Sequence, residues 1–393
     1  MTEGFTMEFV IRPANEKDSE ELLGLYASIY GDDYPLEIGT NKRVMLDALR
    51  NPREFLWLVA THSERAQIIG SAIFELDWEY QIGKVAGVVV HPSFQKKGIA
   101  KSLIDEGTRR VLEGSEGINS LYATSRTISL GPQLMFLKNG FLPLGIFPNA
   151  RKIKSYETLT LFGKFRQGIL QNRFQVPNIP ETLEPIIKIT EAVTGTLYHS
   201  PEVSTSEANL VYRENIMMDS PDEFEFIHAP QFVQKRFMEM FSSDRYSLFY
   251  PFHRPNFLIV SSVDNTELYA SFSEKDHYCA LITANPSITG LQDRMKKLIF
   301  ALKEKGIYYL ETLVRLDRFE VIKYLTEHRF IPSAIYPAMM QEEGIFYDYV
   351  LLTTTMVPLD FSELKIHHAF HPYVEQYVKE WVKTNLDIYG LSK

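Results

Sequence analysis

Val88-Val89-Val90-His91-Pro92-Ser93-Phe94-Gln95-Lys96-Lys97-Gly98-Ile99-Ala100 is an apolar β-branched run that ends in a proline and passes through a glycine-bearing loop. Lys101-Ser102-Leu103-Ile104 then opens a helical pattern. A strand that delivers such a loop to a helix N-terminus makes an anion site. The N–H groups of the first turn have no partner within the helix, and the helix dipole favours negative charge there. Glycine lets the backbone approach the anion with no Cβ in the way. The Gln-x-x-Gly-x-Ala of residues 95–100 is short, and it gains meaning from the strand before it and the helix after it.

The chain has 393 residues, enough for two or three domains. Hydrophobic residues make up 45% and aromatic residues 13%, which allows large cores. No run of about 18 apolar residues is present, so no membrane span is expected. Met1-Thr2-Glu3-Gly4-Phe5 lacks the basic-then-apolar pattern of a signal peptide. A single cysteine, Cys279, rules out a disulfide within the chain and fits a reducing, cytoplasmic setting. The formal charge of −9 disfavours nucleic acid as a partner and favours cationic substrates.

Working outward from the quoted stretch, alternation and helical spacing predict a strand at 8–12 and a helix with Leu22, Leu25, Tyr26 and Ile29 on one face. A turn at 31–35 and a second helix at 41–49 follow. Strands are predicted at 55–60, 68–76 and 85–90. After the loop come a helix bearing Leu103, Ile104 and Val111, a strand at 121–124, a helix at 130–138, and strands at 141–147 and 156–162. This βααβββαβαββ order, together with the loop, resembles the GNAT N-acetyltransferase superfamily over residues 7–165. The resemblance implies an α/β fold, a mixed twisted sheet flanked by helices. It also implies acetyl-CoA, or another acyl-CoA, as co-substrate.

On that resemblance, backbone groups of Val88, Val89 and Val90 serve the pantetheine arm. The N–H groups of Gln95, Lys96, Lys97, Gly98, Ile99 and Ala100 take the pyrophosphate. Ser129 stands where the family usually has a pantetheine-contacting asparagine. Phe136, in Leu134-Met135-Phe136-Leu137-Lys138-Asn139-Gly140-Phe141, occupies the place of the tyrosine that reprotonates the leaving thiolate. A base is sought among Glu75, Asp77 and Glu79, which alternate with Phe74, Leu76, Trp78 and Tyr80 and therefore share one face of an extended strand. That face is either the wet side of the sheet or an acidic wall that takes the acceptor's proton. Asp32, Asp33 and Tyr34 lie in the first helix–helix loop, which often borders the acceptor in this superfamily. Gly-Asp-Asp is also ordinary turn chemistry.

Phe141-Leu142-Pro143-Leu144-Gly145-Ile146-Phe147-Pro148 matches Phe330-Ile331-Pro332-Ser333-Ala334-Ile335-Tyr336-Pro337. Gly117-Ile118 aligns with Gly306-Ile307, Leu121 with Leu310, and Val90-His91-Pro92-Ser93 with Ala284-Asn285-Pro286-Ser287. Ordered matches suggest a duplication. The division read from sequence is a GNAT domain at 7–165, a linker with a short helix at 166–221, a degenerate GNAT-like domain at 222–356 and a helical tail at 357–393. The second loop, Pro286-Ser287-Ile288-Thr289-Gly290-Leu291, lacks Gln-x-x-Gly-x-Ala, so no CoA binding is expected there. His367, His368 and His371 lack the Cys or carboxylates that would complete a metal set, and no metal is assigned. The functional expectation is transfer of an acetyl group to an amine, a small cation or a protein lysine, by direct attack in a ternary complex. No cysteine is present in the first domain to form an acyl-enzyme. The rival is a noncatalytic acyl-CoA-binding sensor. Oligomeric state is left open.

Overall fold

The computed structural model describes residues 8–30, 37–114, 117–153, 155–199, 201–204, 223–244 and 248–385. The chain divides into two compact units. The first comprises Met1–Thr124, Gly131–Leu142 and Phe162–Ile169; the second comprises Ser125–Leu130, Pro143–Leu161 and Leu170–Lys393.

The first unit contains β1 (Phe9–Pro13), α1 (Ser19–Tyr30), α2 (Lys42–Leu49), β2 (Phe55–His62), β3 (Ile68–Asp77), β4 (Ile82–Val90), α3 (Ile99–Leu112), β5 (Ser120–Arg126, through Thr124) and α4 (Gly131–Lys138). Its strands run in the order β1–β2–β3–β4–β5, antiparallel up to the parallel β4–β5 pair. Local chemistry explains the helix starts. The Asn15 side chain accepts from Lys17 N–H, and Asp18 accepts from Asn15 N–H, a reciprocal cap just before α1. Asn41 caps α2 by accepting from Arg43 N–H at 3.0 Å. Along α3, Ile99, Leu103, Ile104, Val111 and Leu112 recur at helical spacing and are buried. Gly107 lets α3 close onto β3, since a Cβ there would stand 2.1 Å from the Phe74 ring.

The second unit begins with β6 (Leu142–Lys152) and β7 (Tyr156–Phe165, through Leu161) and continues with β8 (Asn178–Pro180), α5 (Glu184–Thr194), β9 (Glu202–Ser204), β10 (Phe224–Ile227) and α6 (Pro230–Phe241). Then come β11 (Phe257–Ser261), β12 (Glu267–Ser273), β13 (Tyr278–Asn285), α7 (Arg294–Glu304), β14 (Tyr309–Arg315), α8 (Phe319–Glu327), β15 (Ile331–Glu342), β16 (Ile345–Thr355) and α9 (His371–Asn385). Its large sheet has the order β7–β6–β15–β16–β14–β13–β12–β11–β10, with β13–β14 a parallel pair.

These compact units are cut differently from the linear segments read off the sequence. Within the second unit β6 pairs with β15 at Gly145↔Ala334, and a Cβ on Gly145 would lie 2.3 Å from that of Ala334. The segment expected as a linker is packed structure in its described part. Arg173 is buried, 2.7 Å from the carboxylate of Asp348, and Phe174 stacks on Tyr347. The terminal helix docks through Tyr377, whose hydroxyl lies 3.0 Å from that of Thr353, and through Tyr373, which donates to the Pro143 carbonyl.

Candidate functional site

Strand β4 reaches the loop in an unusual state. Its register with β5 runs only from Ile82↔Ser120 to Val85↔Ala123. Beyond that point Ala86–Val90 have register partners on β3 alone, so about 16 Å of backbone edge, at ~3.3 Å per residue, has no strand partner on the β5 side among the described residues. Between Ser71↔Val89 and Ile73↔Ala86 the register slips by one residue, a bulge on β4. Gly87 sits there at φ +58°, and a Cβ would meet Ile73 and the Tyr26 hydroxyl at 2.8 Å. Tyr26, fully buried on α1, donates to the Gly87 carbonyl at 2.8 Å. Its hydroxyl lies 3.3 Å from that of Ser71, which accepts from the Trp57 indole at 2.7 Å. The bulge is therefore held from behind by a buried network. Tyr26 and Gly87 were missed as site residues in the sequence, although a glycine inside an apolar strand is itself a bulge signal.

Past Val90, His91 accepts from Ser93 N–H and a single turn spans Pro92–Phe94. Gln95, Lys96, Lys97 and Gly98 are exposed, Ala100 is half-buried, and Ile99 turns into the core. Lys97 places its ammonium 5.2 Å from the Phe94 ring centroid. Gly98 is the N-cap of α3 at φ +82°, and no side chain caps that end. A Cβ built on Gly98 meets no atom within 4 Å. The positive φ, not crowding, is what calls for glycine, and the space before the free N–H groups is open. This is the geometry of an anion cradle at a helix N-terminus. Val88, Val89 and Val90 supply the unpaired edge leading to it. Ser129 is exposed, just ahead of α4.

Other expected site residues fall elsewhere. The shared face of Glu75, Asp77 and Glu79 is corrected by the strand's length: β3 ends at Asp77, and Glu79 sits in the turn that follows. Asp77 accepts from Tyr80 N–H at 3.0 Å, which fixes that turn. Glu75 lies across from Lys84 in register, 3.7 Å from its ammonium, on the stretch of β4 that still pairs with β5. None of the three stands on the splayed segment. Asp32, Asp33 and Tyr34 lie outside the described residues. Phe136 is buried, its ring 5.2 Å from both Phe141 and Phe162, so it is a core residue. Among the described residues no group of His, Cys, Asp and Glu forms a metal cluster, and no helix is long and apolar enough to cross a membrane.

In the second unit β13 and β14 pair from Tyr278↔Tyr309 to Leu281↔Thr312 and then part, with a register slip at Ile282 against β12. The helix start differs. Asp293 stands at the N-cap of α7, and Tyr324 donates to the Gln292 carbonyl. The Arg294 guanidinium is bound to Asp264, Ser261 and the Gly290 carbonyl. The Asp293 side chain makes no cap hydrogen bond, and a carboxylate at that position repels an anion.

Comparison with proteins of curated function gives no match. Among solved structures the chain is similar to a GNAT-family acetyltransferase from Streptococcus pneumoniae, with 20% identity, 40% of this chain and 99% of that chain covered, and a TM-score of 0.36. It is also similar to a ribosomal-protein-alanine N-acetyltransferase from Brucella melitensis, at 19% identity, 40% and 99% coverage and a TM-score of 0.35. A chimeric spermidine N-acetyltransferase from Vibrio cholerae shows 12% identity, 40% and 95% coverage and a TM-score of 0.35. The model of the acetyltransferase (GNAT) family matches residues 20–141, which contain the bulge, the splayed edge and the uncapped helix start. Residues 20–141 thus carry a domain of the GNAT family of acetyltransferases.

Proposed function

We propose that the protein is a cytoplasmic acyl-CoA-dependent N-acetyltransferase that uses acetyl-CoA, or another acyl-CoA, bound by its first unit. The observation that carries this reading is the open, uncapped end of α3 at Gly98, directly after a strand edge with no partner. The N–H groups of residues 95–100 hold the pyrophosphate, Lys96 and Lys97 add positive charge, and Val88–Val90 run beside the pantetheine arm. The acceptor is an amine, a small cation or a protein lysine. Its neutral nitrogen attacks the thioester carbonyl directly, a C–N bond forms as the C–S bond breaks, the nitrogen gives up a proton to solvent, and the thiolate takes one from solvent. An acyl-enzyme on Cys279 is disfavoured by its surroundings, because burial and then the nearby Glu311 carboxylate push the thiol well above its ordinary pKa.

Calorimetry on a folded Gly98→Asp variant tests the site. A carboxylate placed in that open space should weaken acetyl-CoA by at least tenfold, about 1.4 kcal/mol. Unchanged affinity overturns the assignment. The rival reading, a noncatalytic acyl-CoA sensor, is favoured by Phe136, which offers no hydroxyl and is sealed in the core. Acyl transfer to a panel of amines separates the two.

A further inference from the structure

The parting of β13 and β14 opens a cavity of about 340 Å³ inside the second unit. That lies within the range of small-molecule sites. Most of the side chains along it are apolar, among them Leu281 and Ile282 on β13, Leu313 and Val314 on β14, Phe249, and Leu325 on α8, while polar atoms, with Thr283, Ser287 and Thr312 beside them, share its surface. The charged groups on its lining are Arg315, Arg318 and Asp244. Arg315 is held by Asp317 and Glu342, at 2.8 and 2.9 Å. Asp244 has interactions of its own. Arg318 is exposed, and among the described residues it has no ion pair or hydrogen bond from its side chain.

We propose that this cavity binds an aliphatic carboxylate, its chain between the parted strands and its head on Arg318. The apolar walls gain from burying methylene groups, about 0.8 kcal/mol each. A guanidinium without a partner suits a carboxylate in a two-bonded pair. The nucleotide half of an acyl-CoA is disfavoured here, since the loop before α7 lacks Gln-x-x-Gly-x-Ala and brings the acidic Asp293 to the helix start. The ligand is therefore a free chain acid and not a CoA ester. This site is independent of the reading given to the first unit.

Titration of the full chain with octanoate, octanol and acetyl-CoA decides the matter. Octanoate should bind once per chain, and octanol at least about tenfold more weakly. Arg318→Met should weaken octanoate about tenfold and leave octanol unchanged. Val321→Trp, on the half-buried wall of the cavity, should abolish octanoate binding and leave acetyl-CoA binding intact. Should the tryptophan variant fail to fold, the exposed Arg318→Met and the octanol comparison still decide. No octanoate binding, or octanoate binding indifferent to Arg318→Met, overturns the proposal. So does a second acetyl-CoA site that disappears in Val321→Trp, because the cavity would then take the thioester.

Discussion

At the joint after β4, Gly98 turns the chain at φ +82° and leaves α3 without a cap. At the joint after β13, Asp293 occupies the cap of α7, and Arg294 reaches back to Asp264 and the Gly290 carbonyl. Both joints follow a parallel strand pair that parts after four register pairs, and both strands carry a slip just beyond the last one. The difference lies in which residues stand at the helix start. Neither end has a side-chain cap, but one presents a left-handed glycine in open space and the other an acidic residue followed by an arginine tied to Asp264. A strand gap alone is therefore a slot for a chain of atoms, and the loop chemistry decides whether a nucleotide comes with it.

The largest expected effect is at the bulge that shapes the first slot. Gly87→Val imposes a left-handed conformation on a β-branched residue and drives its side chain into Ile73 and the Tyr26 hydroxyl. We expect a loss of about 3 kcal/mol in urea unfolding. The corresponding slip in β13 falls at Ile282, which is not among the residues at positive φ, so glycine is not required there. A Gly87→Val variant as stable as the parent would mean that the two bulges are held alike.

Next in size is the paired substitution of the loop glycines. Gly98→Ala meets no neighbouring atom but keeps φ +82°, at a cost of about 1 kcal/mol. Gly290 has no left-handed backbone and open space around it, so Gly290→Ala should change stability by under about 0.5 kcal/mol. Equal effects in a side-by-side melt would remove the distinction between the loops.

Much of this contrast was legible beforehand. The order of elements in the first unit follows directly from period and punctuation, because each amphipathic helix and apolar strand there satisfies its own local pattern. Leu121 and Leu310, aligned in the sequence, each occupy the second position of a strand, β5 and β14. Tertiary pairing was not legible. Nothing local in Gly145 announces that it lies against Ala334, or in Arg173 that it ends beside Asp348. Those contacts join residues about 190 and 175 positions apart, and they decide where compactness lies. Alternation over 75–79 gave the wrong face for Glu79, since period alone does not mark where a strand stops and a turn begins.

The joint before α7 also carries a pH signature. Hydrogen bonding from Arg294, against a smaller opposing effect of burial, holds the Asp264 carboxyl below its ordinary pKa. A depressed carboxylate contributes stability above its unfolded pKa, about 3.9, and loses it as pH falls through the folded value. Asp264→Asn should therefore be less stable than the parent near neutrality, and the gap should close below about pH 4. Urea midpoints at stepped pH read this directly. A gap that stays constant would show that the Asp264–Arg294 tie does not stabilise the joint.

The smallest expected effect concerns the acidic residues beside β4. Lys84, the register partner of Glu75, precedes the Gly87 bulge by about 10 Å of strand at ~3.3 Å per residue. Glu75 is matched to the Lys84 ammonium, and the Asp77 carboxylate is committed to Tyr80 N–H. Glu79 is exposed in the turn. A proton relay needs its base within hydrogen-bond reach of the acceptor nitrogen or of one intervening water. These positions lie along the closed part of the strand pair, away from the parted edge where the thioester is proposed to sit. Glu75→Gln, Asp77→Asn and Glu79→Gln should each change kcat/KM by less than about twofold, with an unaltered pH profile. A tenfold fall in any one, accompanied by loss of its basic limb, would restore the acidic strip as the proton path and move the proposed acceptor toward the paired end of β4.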